Sequence, residues 1–180
     1  MRDAATLRNA TKMITTQGID QIISDFLMVS ATANFPLRRD EIMIEFSPAP
    51  HARPKSLPTG MMAVYIFCTD THCLKVGKAG AKTKQRYTYQ HYNARSAPST
   101  LAASLLGSGT RQDGNVGYWS SAYGMPATET VGEWIEANTT RVNLLIKAQQ
   151  SPFLLNLLEA FVQCRLRPVF EGRGVGSTAV

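Results

Sequence analysis

The chain has 180 residues, 44% hydrophobic and 18% charged, the balance of an ordinary folded domain large enough to bury a core. No apolar run approaches the roughly 20 residues that a membrane helix needs, and the first residues lack the continuous apolar core of a signal peptide. Three cysteines, Cys68, Cys73 and Cys164, cannot all pair; they are read as reduced thiols, and the expected compartment is cytoplasmic.

Residues 3 to 31 carry Leu7, Ala10, Ile14 and then Ile19, Ile22, Ile23, Phe26 and Leu27 at helical spacing, with Gln17-Gly18 expected to divide the run in two. This pair of helices reads as a small DNA-reading module or as a packing or dimerisation element. Ile42, Ile44 and Phe46 alternate with Met43 and Glu45 as a strand. From Ser47 to Gly60, Pro48, Pro50, Pro54 and Pro58 are interleaved with His51, Arg53 and Lys55. That composition predicts a stiff basic linker, or an arm lying along a partner. The expected organisation is a helical extension over 1–46, a linker over 47–60, a catalytic or binding domain over 61–171 and a flexible tail over 172–180.

The central stretch predicts a hairpin followed by a basic helix. Ala63, Tyr65 and Phe67 share one face of a strand, with Val64 and Ile66 on the other. Cys73, Lys75 and Gly77 share one face of the next strand, with Leu74 and Val76 opposite. If residues 68 to 72 form the loop, Tyr65 lies directly across from Lys75. A phenol facing an ammonium suits chemistry on phosphates better than it suits a structural hairpin. From Thr71 to Gln112 there is no acidic residue but seven basic ones: Lys75, Lys78, Lys82, Lys84, Arg86, Arg95 and Arg111. The remainder carries 12 basic and 13 acidic residues, so the whole positive excess of the +6 chain lies beside the hairpin. A charge run alone is more often a solvated face. Next to Tyr65 and Lys75 it points to a polyanion, and the expected partner is nucleic acid.

Further along, Ser96-Ala97-Pro98-Ser99 signals a short helix through Leu106. Residues 107 to 124 read as a Gly- and Ser-rich loop whose Tyr118, Trp119 and Tyr123 pin it to the core or stack on bases. Thr130 to Asn138 predicts a helical turn or two, and Val142, Leu144 and Ile146 a third strand. Ser151-Pro152 opens the last helix, Ser as N-cap and Pro at the first helical position. Its buried stripe is Leu154, Leu155, Leu158, Phe161, Val162 and Leu166, with Cys164 read as core. Glu159 falls inside that stripe, so its carboxylate is expected to be paired, with Arg86 or Arg165, or bound to a metal. Cys68 and Cys73 with His72 are too crowded for zinc and lack a fourth ligand.

These residues resemble the GIY-YIG nuclease family. Ala63-Val64-Tyr65 is similar to its first tripeptide at the Tyr, and Lys75-Val76-Gly77 to its second at the Gly, as in a branch with Lys in place of the second Tyr. Arg86 falls at the family's helical Arg, Glu159 at its late Glu, and Arg165-Leu166-Arg167-Pro168-Val169-Phe170 resembles its closing run. Besides Lys75, the chain departs from the pattern at Gln90, with His91 one further, and at Glu171. The resemblance implies an α/β (α+β) fold, a small three-stranded antiparallel sheet flanked by helices, carrying an N-terminal helical extension. It also implies a Mg²⁺- (or Mn²⁺-) dependent endonuclease acting on DNA, in a restriction or mobile-element context. A restriction role would imply a homodimer, because both strands must be cut and each chain holds one site. The alternative is a catalytically inactive nucleic-acid-binding protein that keeps the fold.

The implied roles follow the chemistry of phosphodiester hydrolysis. Tyr65 is the base; a phenol of ordinary pKa ~10 is a poor one, and the Lys75 ammonium would lower that value. Arg86 offers a planar fork to the phosphate, and Glu159 holds the metal. Lys78, Lys82, Lys84 and Arg95 track the backbone. His91 contacts the phosphate or relays a proton, or equally is a capped surface histidine.

Overall fold

The computed structural model describes residues 15–97, 99–106 and 130–170. Expectations on Leu7, Ala10, Ile14, Arg111, Tyr118, Trp119, Tyr123, Glu171 and the tail lie outside the described residues. The described residues form a mixed α/β fold, a four-stranded antiparallel sheet with five helices: α1 (Thr16–Thr32), β1 (Met43–Ser47), β2 (Met61–Cys68), β3 (Cys73–Ala79), α2 (Lys84–Thr88), α3 (Leu101–Leu105), α4 (Val131–Asn138), β4 (Thr140–Lys147) and α5 (Pro152–Leu166). Short 3₁₀ turns cover Arg39–Glu41 and Gln90–Tyr92. The strand order is β1-β4-β2-β3.

The sheet has one strand more than expected. Met43 to Ser47 pair with Leu145 to Arg141, so the strand assigned to the N-terminal extension is an edge of the same sheet. Strands β2 and β4 are central and covered on both faces, which is why Met61–Cys68 reads as a nearly unbroken apolar run. Val64, Ile66, Val76, Leu144 and Ile146 face a core made with Ile19, Ile22, Ile23 and Phe26 of α1 and Leu154, Leu155, Leu158 and Val162 of α5. Ala63, Tyr65, Phe67 and Leu145 face a second core with Tyr87, Tyr92, Leu101, Leu105, Val131 and Ile135.

Helix α1 begins at Thr16, just before Gln17-Gly18, and the first half of the expected run lies outside the described residues. Thr15 is its N-cap, its hydroxyl accepting from the Gly18 amide at 3.1 Å, so the glycine lies in the first turn, where an unpaired donor needs satisfying. Arg165 of α5 pairs with Asp25 of α1 at 2.8 Å, and the Phe26 and Phe161 ring centroids are 5.6 Å apart. Ser151 caps α5 as expected, accepting from the Phe153 amide at 3.2 Å. Cys164 is exposed on α5, not in the core, while Cys68 and Cys73 are buried. The segment between β1 and β2 packs on α4: the His51 amide donates to the Glu136 carbonyl at 2.9 Å, Arg53 pairs with Glu136, and His51 and Leu57 are buried.

The hairpin register differs from the expected one by two residues. Cys68 pairs with Cys73 and Phe67 with Lys75, leaving Leu74 as the extra residue of a bulge; Tyr65 therefore pairs with Gly77. The loop is one residue shorter than expected and the bulge adds one, so Tyr65 and Lys75 stay on one face as diagonal neighbours. The bulge also turns Leu74 to the face of Tyr65, away from the face of Val76. Beyond α5, Arg167 adopts a left-handed φ of 47° and the chain runs along β3, with the Val169 and Phe170 amides donating to the Cys73 and Leu74 carbonyls at 3.0 and 2.9 Å.

Because α1 and α5 share one core, Ile23→Ala should destabilise the whole protein by about 2–5 kcal/mol, the usual cost of emptying a buried isoleucine site. Urea unfolding followed by far-UV circular dichroism should give one transition at a lower midpoint with an unchanged slope. A separate early transition in the variant would make α1 an independent unit.

Candidate functional site

Tyr65 lies on the second face of the sheet, 1% exposed, with its ring over Gly77. A Cβ at position 77 would lie 2.6 Å from the Tyr65 hydroxyl and 2.8 Å from two of its ring carbons. Only glycine leaves room for the ring there. The glycine matched by motif thus has a steric function, which is to seat the tyrosine on its paired strand.

His91 fixes the other end of the phenol. The Leu101 backbone amide, which can only donate, meets His91 Nδ1 at 3.1 Å. The neutral ring must therefore carry its proton on Nε2, and Nε2–H donates to the Tyr65 hydroxyl oxygen at 2.7 Å. Burial holds the His91 pKa well below 6.5, and the positive charges of Lys75, Arg141 and Arg86 push the same way. The surface-histidine reading is overturned, since the ring is 2% exposed and bonded at both nitrogens.

Lys75 is buried on the same face, and its ammonium donates to the Phe170 carbonyl at 3.1 Å. Arg86 is exposed, held by Ser99 Oγ at 2.8 Å, and close enough to act on His91. Lys82, Lys84 and Arg95 are exposed and, among the described residues, have no carboxylate partner. Tyr65, Lys75, Arg86 and His91 are therefore brought together.

Glu159 is not. Lys78 pairs in register with Val64, which faces α5, so Lys78 points to the face opposite Tyr65. There it forms an ion pair with Glu159, whose side chain is 18% exposed. The expected partners are replaced: Arg165 pairs with Asp25 and Arg86 bonds Ser99. Among the described residues, no group of three or more His, Cys, Asp or Glu side chains is placed to hold a metal.

Beneath the tyrosine lies a residue that reading the sequence missed. Arg141 of β4 is 1% exposed. Its guanidinium donates to Asn143 Oδ1 at 2.9 Å, to the Tyr92 hydroxyl at 3.0 Å and to the Tyr87 carbonyl at 2.8 Å. It lies 4.6 Å from the Tyr87 ring centroid, 5.1 Å from that of Phe67 and 5.8 Å from that of Tyr65. Asn143 passes the charge on, its amide donating to Glu45 at 3.0 Å, and the Tyr87 hydroxyl donates to the same oxygen at 2.7 Å. Burial, and then that carboxylate, hold the Tyr87 pKa far above its ordinary value. His51 Nδ1–H donates to the Thr139 carbonyl at 2.6 Å, so its Nε2 accepts from the Tyr92 hydroxyl at 2.9 Å. The signal in the sequence was two polar residues, Arg141 and Asn143, at period two in an otherwise apolar central strand.

Comparison with protein-family models, with curated proteins and with solved structures finds no match to this chain.

Two outcomes follow from this geometry. Gly77→Ala should displace the Tyr65 ring and destabilise the fold by about 1–3 kcal/mol, the usual cost of overpacking, measured by thermal and urea melts. The pH dependence has a fixed sign as well. His51, His72 and His91 all have folded pKa values lowered from 6.5, by burial first in each case. The unfolded chain therefore binds protons that the folded chain does not. Their contribution to stability is complete above about pH 6.5 and is lost as pH falls toward the folded values. Tm should drop between pH 7.5 and 5.5, and His91→Gln, whose amide still reaches Tyr65, should make that drop shallower. An unchanged slope in His91→Gln would contradict a neutral buried imidazole.

Proposed function

We propose that the chain is an endonuclease of the GIY-YIG type that hydrolyses DNA phosphodiester bonds with Tyr65 as the base. The observation that carries this reading is the hydrogen bond from His91 Nε2–H to the Tyr65 oxygen, with the direction set by the Leu101 amide. The bond leaves the Tyr65 oxygen in the accepting role towards His91, the role that a proton acceptor needs. Lys75 and Arg86 lie nearby, both acting on His91, and their positive field would attract a phosphate. Tyr65 would take the proton from the attacking water, Arg86 would bind the phosphate oxygens, and Lys82, Lys84 and Arg95 would hold the flanking backbone.

A Mg²⁺ held by Glu159 would lie on the face of the sheet opposite Tyr65, so Glu159 does not fit a metal that acts on the same phosphate as Tyr65 and Arg86. The Lys78 ammonium now neutralises that carboxylate, and its position across the sheet from Tyr65 favours a second reading. In that reading the protein binds nucleic acid without cutting it. A restriction or mobile-element context, and a homodimer within it, belong to the first reading.

Plasmid nicking with and without Mg²⁺ or Mn²⁺ separates the two. On the nuclease reading, Tyr65→Phe lowers the rate by about 10²-fold or more, as loss of a general base does. Lys75→Met moves the alkaline-rising limb of the pH–rate profile upward. Binding without nicking in either metal would establish the second reading.

A further inference from the structure

Tyr89 is the exception among the described tyrosines. Tyr65, Tyr87 and Tyr92 are buried, but Tyr89 is 49% exposed. It stands at the C-terminal end of α2, three residues after Arg86 and five after Lys84. The ring is held in place, not left to wander. Asn93 Nδ2 donates to the Tyr89 hydroxyl, while Asn93 Oδ1 accepts from the Arg95 amide at 2.9 Å. The turn beneath is closed by the Tyr92 amide on the Tyr89 carbonyl at 3.1 Å and by the Ser96 hydroxyl on the Asn93 carbonyl at 2.7 Å. One asparagine thus fixes the ring and the backbone that carries Arg95. Within seven residues of Tyr89 in sequence, Lys82, Lys84, Arg86 and Arg95 are exposed cations in a stretch without a single acidic residue.

We propose that Tyr89 is a stacking platform for an unpaired nucleobase, so that the DNA engaged beside the Tyr65 site is single-stranded or locally melted. This rests on the nucleic-acid part of the proposed function. Exposed cations alone would take any polyanion. A rigid aromatic face set among them adds a partner for the flat surface of a base, and bases offer that surface only when unstacked. Arg86 links the two sites, since it stands one helical turn before Tyr89 and acts on His91.

The test is binding of the full chain, in EDTA, to a labelled single-stranded oligonucleotide, to its blunt duplex and to an abasic strand of equal length. Tyr89→Ala should weaken single-strand binding about 5- to 100-fold, the range for stacking one base, while the slope of log K against log salt stays constant. Tyr89→Trp should restore binding. The wild type should bind the abasic strand as weakly as Tyr89→Ala binds the normal one, and the two changes should not add. Lys84→Ala, by contrast, should lower the salt slope by about one unit per lost phosphate contact.

The proposal falls if Tyr89→Ala binds the normal strand like wild type, or weakens strand and duplex equally. It also falls if polyglutamate binds as tightly as the oligonucleotide, which would make the surface a general cation field. Tyr89-dependent binding in a protein that never cuts would keep this inference and overturn the nuclease reading alone.

Discussion

The second face of the sheet depends on the burial of one permanent charge. Arg141 cannot be neutralised by losing its proton, so every group around it must satisfy the guanidinium or pay for its desolvation. The fold meets this requirement with an amide, a hydroxyl and a backbone carbonyl, while ring faces of Tyr87 and Phe67 lie about it. No carboxylate touches it directly among the described residues; Glu45 is reached through Asn143. Such a network holds its members in one arrangement, because losing any one donor or acceptor strands a buried polar group. Tyr87, Tyr92 and His51, which come from distant parts of the sequence, are drawn to one point by this requirement. Tyr65 and His91 sit against that fixed frame.

The elements themselves could be read from residue patterns, because their causes are local. Apolar period, the Ser151-Pro152 start and the alternation in Val142, Leu144 and Ile146 each report on a few neighbouring residues. Pairing between elements could not be read so well. The hairpin register turned on one bulged residue, Leu74, and nothing in Thr69 to His72 announces whether the loop takes four residues or five. Strand Met43–Ser47 was found but assigned to an extension, since sequence says that a strand exists and not which edge it joins. Glu159 was expected to bind a metal or to pair with Arg86 or Arg165; its partner came instead from β3, whose side-chain direction depends on that same register.

The candidate site divides along the same line. Tyr65, Lys75, Arg86 and His91 meet because three of them lie within a short span around one hairpin and the fourth, His91, is held by the turn after α2. Glu159 comes from α5, which covers the other face. A catalytic scheme assembled from motif order alone treats these residues as one cluster. The sheet separates them into a polar site with a seated tyrosine and an ion pair packed under a helix. The first of these is a buried hydroxyl bonded to a neutral imidazole, and the second is a carboxylate neutralised by an ammonium.

The segment beyond α5 has a consequence for how molecules of this protein meet. Val169 and Phe170 occupy the hydrogen-bonding edge of β3 at Cys73 and Leu74, and Lys75 clasps the Phe170 carbonyl from the side. The start of that edge is thereby occupied, at two of the seven residues of β3. In the strand order β1-β4-β2-β3 the remaining edge is β1, whose Met43 and Phe46 are exposed. Among the described residues, a continuous sheet growing from one copy into the next meets less obstruction at β1, at the end of the sheet away from Lys75 and Gly77. Self-association of that kind, whether ordered pairing or early aggregation, would leave the strand that seats Tyr65 uncovered.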